Sequence, residues 1–207
     1  QPELTESQKA IAATGELAIS VQKREHDYLI DIVIPDRSGL LSLVSGVLNV
    51  LRLDVRSART KTVSECAVMQ WVVIADPHAP EITEEILKRE ITLATEDIRS
   101  LAERIQSRIN AYATLPTIPV PAPVVETFTD GATDATIIEI RTHDRPALLF
   151  NIGDVITQCN VDIRSAIVTT LGAEAIDTLY LREFGGGALV SQRVEEVSNK
   201  VKAALLK

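Results

Sequence analysis

The chain has 207 residues, of which 45% are hydrophobic and 24% are charged, a composition typical of a globular protein with one or two domains. Its net charge of −8 repels phosphate backbones, so we expect no nucleic-acid partner, and no apolar stretch approaches the roughly 18 residues that would predict a membrane partner. The two cysteines, Cys66 and Cys159, are too few for a disulfide framework and predict buried, reduced thiols in a cytoplasmic protein.

In chain order, residues 1–13 are predicted to form a tail or linker, and residues 14–113 a first domain. Alternating apolar and β-branched residues predict strands, and apolar residues spaced by three and four predict helices. These patterns give two strands joined by a polar turn, a helix, two more strands and a long helical stretch, at 16–21, 28–34, 40–51, 54–62, 67–74 and from 83 onward. The predicted order of elements is therefore ββαββα.

A second set of elements follows a proline-rich segment. Residues 114–123 contain four prolines and are predicted to form an extended, semi-rigid linker. Residues 124–207 are predicted to form a second domain with the same element order, at 124–129, 136–141, 147–158, 161–170, 175–182 and a last helix from about 190.

The two domains also share sequence, with an offset of 108 residues and no gap. Asp36-Arg37-Ser38-Gly39-Leu40-Leu41 corresponds to Asp144-Arg145-Pro146-Ala147-Leu148-Leu149, and Arg56 corresponds to Arg164. Leu41 and Leu149 recur with apolar residues at helical spacing, so both are expected to be buried on the inner face of a helix. An ungapped match of this kind predicts a duplicated domain.

The position of the last helix constrains the fold. A ferredoxin-like domain needs four strands and two helices, but in each half of this chain the last predicted element is a helix. The strand that closes each sheet must then be the first one, so we expect it to form a hairpin with the second strand and to replace the usual fourth strand. The sequence predicts an α+β fold of two four-stranded antiparallel sheets, each with two helices on one face, placed side by side.

The motif Asp-Arg-[Ser/Pro]-[Gly/Ala]-Leu-Leu lies between a strand and a helix and resembles the signature of ACT domains. Residues 165–181 are similar to the C-terminal ACT repeat of the bacterial uridylyltransferases that modify the PII nitrogen-signalling protein. The resemblance covers nearly the whole chain and implies two tandem ferredoxin-like ACT domains that sense L-glutamine. It also implies catalytic domains on the same polypeptide that attach UMP to PII and remove it. Related enzymes transfer AMP, so adenylyl transfer stays open.

The strand-to-helix loop of each repeat is the candidate ligand site. N–H groups at a helix start favour a carboxylate, Gly39 lets a ligand approach the backbone, and Asp36 can take an ammonium group, which together suit a free amino acid. The candidate ligand-binding residues are Asp36, Arg37, Ser38, Gly39, Leu40, Asp144, Arg145, Pro146, Ala147 and Leu148. The first loop is the preferred ligand site, because the second loop has the methyl group of Ala147 at the position where the first loop has Gly39. The alternative is that both aspartates are helix caps and both adjacent arginines are solvated.

Arg56 and Arg164 either contact a ligand carboxylate across a domain interface or lie on the exposed face of a strand. The His-Asp dipeptides at 26–27 and 143–144 lack the further ligands of a metal-dependent phosphohydrolase, and no nucleophile or phosphate-loop motif is present. We therefore expect no catalytic residue, no metal site and no cofactor in this chain.

Two functions of different classes fit these expectations. The first is the glutamine-sensing regulatory module of a bifunctional PII uridylyltransferase/uridylyl-removing enzyme, and the second is a free-standing tandem-ACT regulator that acts through protein partners, like the glycine-cleavage repressor. The chain begins at Gln1 and its only methionine is Met69, which favours a fragment of a longer protein and hence the first function.

Overall fold

The computed structural model describes residues 6–112, 120–131 and 134–206. Most of the predicted proline-rich linker, residues 114–119, lies outside these ranges. The first half contains α1 (Glu6–Thr14), β1 (Ala18–Lys23), β2 (Tyr28–Pro35), α2 (Leu40–Val50), β3 (Leu53–Val63), β4 (Cys66–Ala75), α3 (Glu84–Glu96) and α4 (Ile98–Tyr112). The second half contains β5 (Val124–Asp130), β6 (Ala135–His143), α5 (Leu148–Gln158), β7 (Val161–Leu171), β8 (Glu174–Glu183) and α6 (Ser191–Leu205).

All eight strands form one antiparallel sheet in the order β1-β2-β4-β3-β7-β8-β6-β5. In each repeat the first strand lies at the sheet edge and pairs with the second, with Ala18 opposite Val33 in the first repeat. This arrangement confirms that the first strand takes the place of the usual fourth. The repeats join through β3 and β7, where Ser57 lies opposite Thr169, so the two predicted sheets are continuous with each other.

Helices α2 and α5 pack against each other above the junction between the repeats. The Ser42 hydroxyl donates a hydrogen bond to the carbonyl oxygen of Phe150 at 2.9 Å, which ties the two helices together. A Cβ atom at Gly153 would lie 3.0 Å from the Cβ of Ser42, so a larger residue there would push the two helices slightly apart. Leu41 and Leu149 are both buried, as predicted, in one hydrophobic core that spans both repeats.

The predicted long helical stretch after residue 83 is two helices. The chain leaves the helix at Asp97, whose Oδ1 accepts hydrogen bonds from the backbone N–H groups of Arg99 and Ser100, each at 3.1 Å. These bonds cap the start of α4, because a side-chain acceptor satisfies N–H groups that have no partner within the helix. Leu101 and Ile105 of α4 are buried next to α2, so the first repeat has a helix without a counterpart in the second.

Cys66 and Cys159 are both buried as thiols. Within the described ranges, no helix has the length and apolar character needed to cross a membrane.

Candidate functional site

The two candidate loops have matching backbone geometry. The N–H of Asp36 donates to the carbonyl of Glu65, and the N–H of Asp144 donates to that of Ala173, each at 2.8 Å. Gly39 (φ 82°) and Ala147 (φ 61°) are the residues before α2 and α5, and both have left-handed backbone conformations.

The aspartates are not helix caps, contrary to the alternative left open by the sequence. The capping positions of α2 and α5 belong to Gly39 and Ala147, and neither helix start has a side-chain cap hydrogen bond. Asp36 is too far along the chain to cap α2, since this helix starts at Leu40, four residues later. Both aspartates are therefore available for other contacts.

The arginines of the motif contact the ends of helices. Arg37 Nη1 lies 3.5 Å from the carbonyl oxygen of Thr95 in α3, and Arg145 Nη2 donates to that of Ala204 in α6 at 3.0 Å. Cations favour helix C-termini, where carbonyl groups lack partners within the helix. Arg145 is therefore held by a helix end, contrary to the alternative of solvated arginines, whereas Arg37 remains exposed.

The remaining candidates divide by burial. Ser38 and Pro146 are exposed at the tips of the two loops, whereas Leu40 and Leu148 are the buried first residues of α2 and α5. The leucine side chains serve the core, so only their backbone N–H groups could meet a ligand.

A narrow cavity of about 20 Å³ lies between the loop of the first repeat and the second repeat. We call it the first crevice, and it is lined by Asp36, Arg37, Gly39, Leu40, Leu41, Thr60, Thr62, Ala67, Met69, Thr157, Val161, Asp162 and Ile163. Its volume is about that needed for one water molecule. The second-repeat residues could not be assigned from sequence, because they reach the loop only through the pairing of β3 with β7.

Arg164 belongs to the second repeat but contacts the loop of the first. Its Nη1 lies 3.7 Å from Asp36 Oδ2 and 4.0 Å from Asp162 Oδ2. Burial raises the pKa of Asp162, the Asp36 charge raises it further, and Arg164 opposes both effects. Arg164 also sits where the β7–β8 register shifts, between Ile163 and Ser165. Arg164 thus reaches across the junction between the repeats, and its contact with a ligand carboxylate stays a prediction.

With the repeats exchanged, the equivalents of residues in and beside the first crevice are Asp144, Ala147 and Asp177 of the second repeat and Asn49, Asp54 and Arg56 of the first, and we call this group of residues the second crevice. Thr170 Oγ1 donates across the junction to the carbonyl oxygen of Val55 at 3.2 Å. Burial raises the pKa of Asp144, as does the Asp54 charge, while a hydrogen bond from the Arg145 backbone and the Arg56 charge lower it.

Asp177 is the main chemical difference between the crevices. It lies 108 residues after Met69, so the second crevice has a carboxyl group where the first has a thioether. Asp177 is 1% exposed, and burial together with the nearby Asp144 charge raises its pKa to about 7. The sequence signal that could have found it is this mismatch within an otherwise matching repeat.

The fold and the repeated loop define a pair of tandem ferredoxin-like ACT domains. The family described as "Plant bHLH transcription factor, ACT-like domain" matches residues 18–96, which covers most of the first repeat.

More specifically, the chain is similar to the tandem ACT domains of bifunctional uridylyltransferase/uridylyl-removing enzymes. It is 30% identical over 185 residues to the enzyme of Streptomyces coelicolor, a match that covers 84% of the chain and 22% of that enzyme. It is 28% identical to the enzyme of Ruegeria pomeroyi, a match that covers 73% of the chain and 17% of that enzyme. It is also 28% identical to the enzyme of Acinetobacter baumannii, a match that covers 82% of the chain and 19% of that enzyme. The chain thus spans about a fifth of the length of these relatives.

Proposed function

We propose that this chain is the glutamine-sensing regulatory module of a bifunctional uridylyltransferase/uridylyl-removing enzyme. In this proposal the catalytic domains lie elsewhere on the same polypeptide and modify the PII signalling protein. Similarity to these enzymes supports the regulatory setting. The observation that carries the proposal is that the first crevice is built from both repeats, so a ligand bound there contacts both at once.

In the first crevice a free amino acid would use both of its charged ends. Its carboxylate would accept hydrogen bonds from the backbone N–H groups of Ser38, Gly39 and Leu40, at the positive end of the α2 dipole. Its ammonium group would meet Asp36, in competition with Arg164, which lies 3.7 Å from that carboxylate. A Cβ atom at Gly39 would already be in van der Waals contact with Thr157, at 3.6 Å, so Thr157 would have to move aside for a ligand to reach this backbone.

Ligand entry would also change the junction between the repeats. A cavity of about 20 Å³ is far smaller than an amino acid, so the loop and the facing strand β7 must separate for glutamine to enter. A ligand that binds the open arrangement better than the closed one shifts the equilibrium between them by its difference in affinity, typically ~1–3 kcal/mol. The attached catalytic domains would respond to that shift.

Calorimetry with L-glutamine tests the proposal. The chain is expected to bind at millimolar or lower glutamine and to show neither uridylyl nor adenylyl transfer. Asp36→Ala removes the ammonium partner and should weaken binding at the first crevice more than Asp144→Ala does. L-Glutamate is the control ligand, and it should bind more weakly because it adds a negative charge near Asp36 and Asp162. Absence of binding heat, or equal losses in the two variants, would contradict the site as assigned.

A further inference from the structure

One face of the sheet in the second repeat exposes large apolar side chains. Helices α5 and α6 pack on the other face, where Leu179 and Leu181 of β8 are buried. On the side away from these helices, Val124 is 48%, Phe128 50% and Ile167 45% exposed. We call this side the open face, and it is formed by Val124, Glu126, Phe128, Ile137, Glu139, Arg141, Ser165, Ile167, Thr169, Ile176, Thr178 and Tyr180. A contiguous apolar surface of this kind marks an interaction site.

The first repeat does not share this surface. At the equivalent sheet positions, Arg59 replaces Ile167 and Gln22 replaces Phe128. Helix α1 also packs against β2 of the first repeat, where Val33 is only 3% exposed although it lies outside the main core. No helix in the described part of the chain takes that place in the second repeat. The exposed apolar residues are therefore specific to the second repeat and are not required by the fold.

The open face has three rows of cross-strand neighbours, and its two outer rows complement each other. The middle row is Glu126, Glu139, Thr178 and Ile167, and the outer rows are Phe128, Ile137, Tyr180 and Ser165 on one side and Val124, Arg141, Ile176 and Thr169 on the other. A two-fold axis along the middle row places the first outer row of one copy on the second outer row of another. Phe128 then meets Val124 of the second copy, and Tyr180 meets Ile176 of the second copy. This match between identical surfaces is what a symmetric dimer requires.

The charged groups of the open face suit burial in such a contact. Arg141 Nη2 lies 2.8 Å from Glu139 Oε1, so each copy brings these two charges as a pair and leaves neither one alone. Glu126 belongs to the edge strand β5 and would lie at the polar rim of the contact. The apolar residues and Thr178 then form its centre.

The size of the open face also fits one partner sheet. Four strands spaced ~4.8 Å apart and ~30 Å long give a flat face of ~600 Å², and projecting side chains increase the accessible area. Stable interfaces bury ~800 Å² on each partner. A second open face therefore covers the first one completely, in the manner of two sheets that pack face to face.

We infer that the open face of the second repeat is a dimer interface, on which a second copy of this chain packs about a two-fold axis that follows the row of Ile167 and Thr178. The interface lies on the side of the sheet opposite the helices and the first crevice, so it goes beyond the proposed function and does not depend on it.

Sedimentation velocity of the 207-residue chain tests the dimer. We expect twice the mass of one chain, with a Kd that is micromolar or tighter, as interfaces of this size reach. Ile167→Arg installs the residue that the first repeat carries at the equivalent position, and it should weaken the dimer at least tenfold because two arginines would meet at the axis. Leu93→Arg is the matched control, since Leu93 is 50% exposed on α3, and it should leave the Kd unchanged.

Cross-linking tests the position of the axis without disturbing the apolar contacts. Thr178→Cys places two thiols opposite each other across the axis, so a short bismaleimide should join two chains. Gln70→Cys, the equivalent change in the first repeat, should give no joined chains. Cys66 and Cys159 are buried, so the introduced thiol is the one that reacts.

A single-chain mass at concentrations of hundreds of micromolar would overturn the inference, as would a dimer that Ile167→Arg leaves intact. A dimer that is not cross-linked through Thr178→Cys, or is cross-linked equally through Gln70→Cys, would show that another surface joins the chains and would also overturn it. Loss of glutamine binding together with an intact dimer would contradict the proposed function alone.

Discussion

Asp177 makes the stability of the fold depend on pH. Its pKa is about 7 in the folded chain, whereas the ordinary value is 3.8, because the buried carboxylate is poorly solvated and faces Asp144. A carboxyl group whose pKa rises on folding favours the folded state at low pH. That contribution is complete below the unfolded pKa and is lost as the pH rises through about 7.

Asp177→Asn should therefore remove part of the pH dependence of unfolding. At pH 8 the variant should be more stable than the parent chain by ~2–4 kcal/mol, from about 1.4 kcal/mol per unit of pKa difference, and near pH 4 the two should differ little. Urea denaturation at pH 4, 6 and 8 measures this difference. The raised pKa of Asp144 also makes unfolding depend on pH, in the parent chain and in the variant alike. Only the difference in stability between the two chains therefore reports on Asp177. A constant difference across this range would contradict the account.

Ala147 stores backbone strain that its equivalent avoids. Its φ of 61° is in the left-handed region, where a Cβ atom is unfavourable, whereas Gly39 adopts φ 82° without that penalty. Ala147→Gly should stabilise the chain by about 1 kcal/mol, and Gly39→Ala should destabilise it by about the same amount. Thermal unfolding of the two variants measures both effects. If both variants were more stable than the parent chain, or both less stable, backbone strain at Ala147 would not explain the result.

At the scale of elements, α5 shows why the apolar pattern predicted helices well. Leu149, Ile152 and Ile156 are all buried on one face of this helix, as their spacing predicted. Leu149→Ala should cost ~2–5 kcal/mol of unfolding free energy, because it removes buried methyl groups and leaves a cavity. Leu171→Ala is the control, since Leu171 is 61% exposed and should cost less than about 0.5 kcal/mol. Equal losses in denaturant melts would contradict the assigned face.

Sequence reasoning missed the break between α3 and α4, because this break depends on competition between continuing one helix and capping the next. The apolar spacing continues from Ile91 through Ile98 to Ile105, so periodicity alone predicted one unbroken helical stretch. Asp97 instead uses its side chain to cap α4, and this competes with continuation of α3. The edge position of β1 was predictable because the last helix of each repeat left only the first strand to close the sheet.

At the scale of the whole molecule, the least predictable feature was that residues of one repeat contact the candidate loop of the other. The motif identified the loops, but Arg164 reaches Asp36 only because β3 pairs with β7 and α2 packs on α5. No local pattern determines which edges of two similar sheets will join. The partner residues of the first loop, Asp162 and Arg164, therefore required the structure.

The central claim is that an amino acid binds between the repeats and alters their junction. Hydrogen–deuterium exchange of the chain with and without saturating L-glutamine tests it most directly. We expect exchange to change at residues 36–41 and along the paired segment of β3 and β7, with little change at the edge strands β1 and β5. Unchanged exchange at the junction, or changes confined to the edge strands, would contradict the claim.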